Sequence, residues 1–263
     1  MSRPRRDAPA RSQDAAARIV VGIHPVREIL RAGHKVHRVR LADSRGGSAA
    51  LDEIIELARK AGVPVVEVRR SELDDVAAGL VHQGVVAEAA PLVTVSPDQI
   101  VALAIARAEP ALIVAIDGVT DPHNLGSIAR TAEAAGAHGL IVPSRRSAGI
   151  TPTVEKAAAG ALAHLPVAVV TNLVRTLADL ARDGVWSLGL DGDAEVTVDE
   201  HPLVAESCVL VVGAEGDGLS RLTRERCDGL VRLPMRGQVD SLNASVAAGI
   251  ALYTIAARQG RPA

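Results

Sequence analysis

Aromatic residues are almost absent from this sequence: 1% overall, with one Trp, one Tyr and no Phe among 263 residues. The core must therefore be built from Ala, Val, Leu and Ile, and any nucleic-acid base must be read without aromatic stacking platforms. Cysteine is scarce too. Cys208 and Cys227 lack metal-ligand spacing and sit near no motif of His or Cys, which points to two free thiols in a cytoplasmic protein. The eight histidines do not cluster at metal spacing, so no metal is expected. No apolar run reaches membrane-spanning length and the N-terminus has no apolar signal core, so no membrane partner is expected either. Missing as well are the G-x-G-x-x-G and G-x-x-x-x-G-K-[ST] phosphate loops and the G-x-S-x-G elbow. Their absence disfavours a dinucleotide-dependent oxidoreductase, P-loop ATP hydrolysis and an α/β-hydrolase.

What remains is a globular composition, 48% hydrophobic and 23% charged, long enough for two domains of ordinary size. Positive charge is concentrated at one end. Residues 1–40 hold ten Lys/Arg against three Asp/Glu, although the whole chain carries a formal charge of −2. Residues 1–18, MSRPRRDAPARSQDAAAR, show no hydrophobic periodicity and read as a disordered basic tail. Attraction to a polyanion and simple solvation both account for such a tail.

Residues 19–90 read as a small α/β domain. Strands are expected at Val36–Leu41, Val63–Val68 and Gly84–Ala89, with a helix over Ala49–Ala61 closed by Gly62 and Pro64. Residues 91–97 read as a linker and 98–263 as a second domain. There, apolar strands at Ala111–Ile116, Gly139–Val142, Val167–Val170, Val185–Leu190, Cys208–Val212 and Gly229–Leu233 are separated by helical stretches. Those stretches are Leu125–Ala135, Pro152–Ala159, Leu173–Asp183 and Ser220–Cys227, and a final helix is expected over Leu242–Arg258. The pattern predicts α/β architecture with a parallel sheet covered on both faces.

Ligands of such sheets bind at the carboxyl ends of strands, and three loops there stand out. The first, Asp117–Arg130, places Asn124 near a helix start, where Asn commonly caps. Arg130 follows inside an Ala/Ile-rich helix, as a phosphate or ion-pair partner or as a snorkelling surface residue. The second, Val212–Ser220, sets three glycines around Glu215 and permits close backbone approach to a ligand. The third, Leu233–Ser245, contains Ser241 and Asn243, which alone would be no more than caps of the last helix.

Together the segments Asn-Leu-Gly-Ser-Ile-Ala-Arg at 124–130, Gly-Ala-Glu-Gly-Asp-Gly-Leu at 213–219 and Leu-Pro-Met to Ser-Leu-Asn-Ala-Ser at 233–245 resemble the SpoU/TrmH family of RNA ribose 2′-O-methyltransferases. The resemblance extends to Gly22–Glu28 and Val81–Val85, which look like that family's L30e-like RNA substrate-binding domain. It implies a SPOUT-type fold whose C-terminal domain carries a deep trefoil knot, and a homodimer. It also implies S-adenosylmethionine as cofactor, held by backbone near Gly213, Leu233 and Leu242. Catalytic roles fall to Asn124, Arg130, Glu215, Ser241 and Asn243, with Arg130 assigned to activation of the hydroxyl. The wording of Asp117–Asn124 and of Leu222–Asp228 is nearest to the branch acting on a guanosine of 23S rRNA. Alternatives are a tRNA enzyme, an antibiotic-resistance rRNA enzyme, or an inactive RNA-binding module.

Overall fold

Arg18, expected in the basic tail, opens the first strand instead. The computed structural model describes residues 17–43, 48–238 and 241–261, so the rest of the tail lies outside the described residues. The N-terminal unit comprises β1 (Arg18–Val21), α1 (Ile23–Arg31), β2 (Val36–Ala42), α2 (Ala49–Lys60), β3 (Val65–Val68), α3 (Arg70–Ala77) and β4 (Val85–Ala89). Its sheet runs β1-β4-β2-β3, with β4 antiparallel to both neighbours and β2 parallel to β3. Strand alternation divides the core. Val20, Val39, Leu41 and Val85 face α1 and α2, while Val21 and Val86 face α3.

The second unit comprises α4 (Pro97–Arg107), β5 (Leu112–Asp117), α5 (Pro122–Ala134), β6 (Gly139–Pro143), α6 (Pro152–Ala157), β7 (Val167–Val170), α7 (Leu173–Arg182), β8 (Trp186–Leu190), β9 (Cys208–Gly213), α8 (Arg221–Arg226), β10 (Gly229–Val231) and α9 (Ala244–Arg258). All six strands are parallel, in the order β10-β8-β9-β5-β6-β7. Two apolar layers cover them, one built on α5, α6 and α9 and the other on α4 and α7. The expected α/β architecture is therefore observed. The register sets Asp117 beside Gly213 and Val231 beside Leu190, so four strands end at one edge.

The units meet through polar side chains. Arg18 Nη1 lies 3.3 Å from Glu155 Oε1, Lys156 donates to Gln83 Oε1 at 3.0 Å, and His164 Nε2 lies 3.1 Å from Glu28 Oε2. His34 Nε2 reaches the carbonyl of Ala163 at 2.9 Å. Gly160, with φ of 100°, lets the chain turn against α1; a Cβ there would fall 2.6 Å from Glu28 Cγ.

Candidate active site

Asp121, not Asn124, caps α5: its carboxylate accepts from the backbone N–H groups of His123 and Asn124. Pro122 then occupies the first helical turn, where its missing N–H costs nothing. Asn124 is thus released from capping and lies buried at 6% exposure, facing the other two loops. Its Nδ2 donates to Glu215 Oε2 at 2.9 Å, and its Oδ1 accepts from Asn243 Nδ2 at 2.9 Å. Asn243 Nδ2 also reaches Glu215 Oε2 at 3.3 Å.

Asn243 joins two roles. Its Oδ1 caps α9 by accepting from the backbone of Ser245 and Val246 and from Ser245 Oγ at 2.6 Å. Its Nδ2 is left to tie the first and second loops together. Amide groups supply both donor and acceptor, which an aspartate in these places would not.

The glycine loop folds on itself. Ala214 and Gly218 exchange backbone hydrogen bonds of 2.9 Å each way, with Gly216 and Gly218 at φ of 82° and 66°. Gly213 is required by this fold-back as much as by any ligand. A Cβ there would fall 2.2 Å from the Gly218 carbonyl carbon. Asp117 secures the far end, accepting from the Ser220 N–H at 2.7 Å.

Beside this network lies a cavity of about 430 Å³ lined by three loop segments. Gly213, Leu233, Ser241, Leu242 and Glu215 all border it. So do Asp191, Asp193 and Arg224, which sequence reasoning missed. Arg224 Nε donates to Asp191 Oδ2 at 2.5 Å, and this bond raises the guanidinium pKa. The Asp191-Gly192-Asp193 turn follows β8 at a strand's carboxyl end, so position alone would have flagged it; Arg224, inside a short helix, gives no such signal. The volume and the backbone-rich, glycine-flanked wall suit a nucleoside-sized ligand.

Arg130 is not gathered into this cluster. It lies two turns beyond Asn124 on α5, exposed, with no hydrogen bond or ion pair among the described residues. Its helix neighbours Ser127 and Thr131 instead line an open groove between α5 and α9, together with Val246, Ile250 and Tyr253. Among the described residues no group of three or more His, Cys, Asp or Glu is placed to hold a metal, and no helix is long and apolar enough to cross a membrane. Burial pushes both the Cys208 and Cys227 thiols up to about 12, so neither is a thiolate nucleophile at neutral pH.

Comparison with known proteins matches residues 111–253 to the SpoU rRNA Methylase family. Residues 19–94 match the family described as RNA 2′-O ribose methyltransferase substrate binding. A Bacillus subtilis protein assigned by name to the TrmH family of tRNA/rRNA methyltransferases is 43% identical, over 90% of this chain and 94% of its own. A tRNA/rRNA methyltransferase by name from Mycolicibacterium vanbaalenii is 45% identical, over 93% of this chain and 77% of its own. Among solved structures, the SpoU methyltransferase AviRb of Streptomyces viridochromogenes, in complex with AdoMet, superposes with a TM-score of 0.74 at 27% identity. It covers 93% of this chain and 91% of that one.

Proposed function

The chain belongs to the SpoU rRNA methylase family, and from that premise we propose that it methylates a ribose 2′-hydroxyl of RNA, using S-adenosylmethionine. The observation that carries the reading is the hydrogen-bonded convergence of Asn124 and Asn243 on Glu215, which itself lines the 430 Å³ cavity. The backbone around Gly213, Leu233 and Leu242 would hold the cofactor there, and Ser241 stands exposed on the rim. When bound, S-adenosylmethionine supplies a methyl group already activated on a sulfonium.

What the chain must do is align the hydroxyl, help it lose its proton and exclude water. The Asn124–Glu215–Asn243 network fixes the loops around the reacting centre. Arg130, with no hydrogen bond or ion pair among the described residues, is available to the substrate. Its planar fork suits a phosphate and a developing alkoxide. A base role is harder for it, because arginine pKa values exceed about 12.

The active form is proposed to be a homodimer paired along the α5/α9 groove. Val246, Ile250 and Tyr253 are each about half exposed on the outer face of α9, and a second copy would cover them beside Arg130. The trefoil knot is proposed with the family. It is supported by the way residues 190–193 and 212–219 line one cavity together with Leu233, Met235, Ser241, Leu242, Ala244 and Ala247.

The finer substrate is proposed as a guanosine of 23S rRNA, and the substrate-binding match at residues 19–94 supports an RNA large enough to need a separate reading unit. Incubation with labelled S-adenosylmethionine and either protein-free 23S rRNA or bulk tRNA, followed by mapping of 2′-O-methyl positions, tests this. Label in tRNA alone would remove the rRNA assignment, and label on a base would remove the ribose assignment.

A further inference from the structure

A second cavity, of about 420 Å³, opens where the two units meet, within the ~300–1,000 Å³ range of small-molecule sites. Its walls are aliphatic, including Leu92, Pro143, Ile150 and Val169. Two charged side chains also line it: Arg18 from β1 and Glu155 from α6. They are buried to 11% and 6% side-chain exposure, respectively, with 3.3 Å between Nη1 and Oε1.

This pair is incompletely satisfied. Arg18 Nε is buried without a hydrogen-bond partner, and Glu155 is held by the Arg18 charge alone among the described residues. Buried ions stripped of hydrogen bonds are costly and rare unless something else completes them. Burial pushes the Glu155 carboxyl up to about 7, against the lowering effect of Arg18.

The surroundings point to the missing partner. The loop from Ser144 to Ile150 forms one side of the cavity and exposes Arg145 and Arg146. Neither makes a hydrogen bond or ion pair among the described residues. Ala148 N–H donates to the Val119 carbonyl at 3.1 Å, which ties this loop to the one leading into Asn124. The cavity therefore sits one strand away from the methylation site, with two free cations at its edge.

We propose that this junction cavity is a second RNA subsite that takes an unpaired guanine base. Glu155 accepts from its N1–H and N2–H groups and Arg18 donates to its O6, while Arg145 and Arg146 hold adjoining phosphates. Guanine is the base that fits because it alone presents two adjacent donors on its Watson–Crick edge, matching the two oxygens of a carboxylate. Adenine and cytosine set a single amino donor beside an acceptor, and uracil sets one N–H between two acceptors. The aliphatic walls replace the aromatic stacking that this sequence does not provide. The assignment rests on RNA being the substrate. The same chemistry would also take a free guanine nucleotide, and the two arginines favour the polymer.

The test uses the full chain and fluorescent pentamers UUGUU and UUAUU, with affinity read by anisotropy at fixed salt. The intact protein should prefer UUGUU by about tenfold, at the lower end of the ~1–3 kcal/mol known for bidentate base readout. Glu155→Gln, which keeps the shape but loses one acceptor, should bring that preference to within about twofold of unity. Val169→Trp, at the cavity mouth, should weaken both pentamers while leaving the Arg18–Glu155 pair in place. It keeps the proposal testable if Glu155→Gln loosens the unit junction. Arg145→Ala with Arg146→Ala should weaken both pentamers equally and flatten the salt dependence by about one phosphate per arginine. Equal binding of the two pentamers by the intact protein, an unchanged ratio in Glu155→Gln, or an unaffected Val169→Trp would each overturn the subsite. GMP binding as tightly as UUGUU would overturn the RNA source. Methyl transfer to bulk RNA, measured in parallel, separates a failure here from a failure of the RNA-methylation reading.

Discussion

Arg130 and Gly213 belong to two of the three sequence motifs, and the structure gives them opposite environments. Arg130 is exposed and makes no hydrogen bond or ion pair among the described residues, so on the proposed reading its truncation removes a contact made only with substrate. Arg130→Ala should abolish methyl transfer and leave S-adenosylmethionine affinity within a few-fold. Gly213→Val should lose cofactor binding first, because any side chain there collides with the Gly218 backbone and forces open the loop. Titration calorimetry decides; equal loss of cofactor affinity in the two variants would erase this division of roles. Glu155 gives a residue-level prediction of another kind. Its pKa is raised from 4.5 to about 7 by burial, so between these values the folded chain binds more protons than the unfolded one. Stability must then fall as pH rises across that window, by up to roughly 3 kcal/mol. Glu155→Gln, which does not titrate, should gain on the parent in urea midpoint between pH 5 and pH 8. A difference independent of pH would contradict the burial cost.

At the scale of elements, strands were more legible than helix starts. The apolar run at Gly139–Val142 matches β6 closely, because a strand buried on both faces leaves an unbroken apolar run; the run at Val167–Val170 matches the edge strand β7, where Val169 stays half exposed. Helix starts depend on single capping side chains. Thus α5 begins at Pro122 rather than Leu125, because Asp121 is the cap, and α9 begins at Ala244 because Asn243 caps it. The α4 helix escaped notice although Ser96 and Gln99 form a reciprocal capping box; its weakly amphipathic Ala-rich body masks the signal. The α1 and α3 helices were missed as well, being short and lacking side-chain caps. The double duty of Asn243 yields a selective variant. Asn243→Asp keeps the cap acceptor for α9 but loses the donor to Asn124 and sets a second carboxylate beside Glu215. Thermal stability should stay within about 1 kcal/mol, since Asp and Asn cap alike, while methyl transfer drops by two orders of magnitude or more. Full activity would show that the network is merely structural. The α9 helix also carries the proposed dimer contact. Ile250→Arg, in the middle of the open groove, should convert a 54 kDa pair (about twice the 27.2 kDa chain) to a monomer in light scattering. A parent chain that scatters as a monomer at micromolar concentration would exclude the pairing.

For the whole molecule, the sequence divided the chain into a small mixed α/β unit and a larger parallel one, but it was silent about how the two are joined. Contacts such as Arg18 with Glu155 and His34 with the Ala163 carbonyl span more than a hundred residues, and no local pattern announces them. The same is true of the Asn124–Glu215–Asn243 cluster: motif order suggested its members, and only folding shows them sharing hydrogen bonds while leaving Arg130 outside. The division of labour between units leads to a last prediction. Every residue lining the 430 Å³ cavity lies between Leu190 and Ala247, so among the described residues the proposed cofactor site owes no contact to the N-terminal unit. Deleting residues 1–90 should leave S-adenosylmethionine affinity within a few-fold, although it strips Arg18 from Glu155 and should lower the melting temperature. RNA recognition should suffer far more. The first forty residues hold ten Lys/Arg against three Asp/Glu, and phosphate contacts supply most sequence-independent affinity for nucleic acid. Methylation of protein-free 23S rRNA should therefore fall at least tenfold, with the loss steepening as salt is raised, because the few phosphate contacts that remain are screened first. If the shortened chain methylates rRNA as well as the full one across that salt range, the N-terminal unit has no part in recognition.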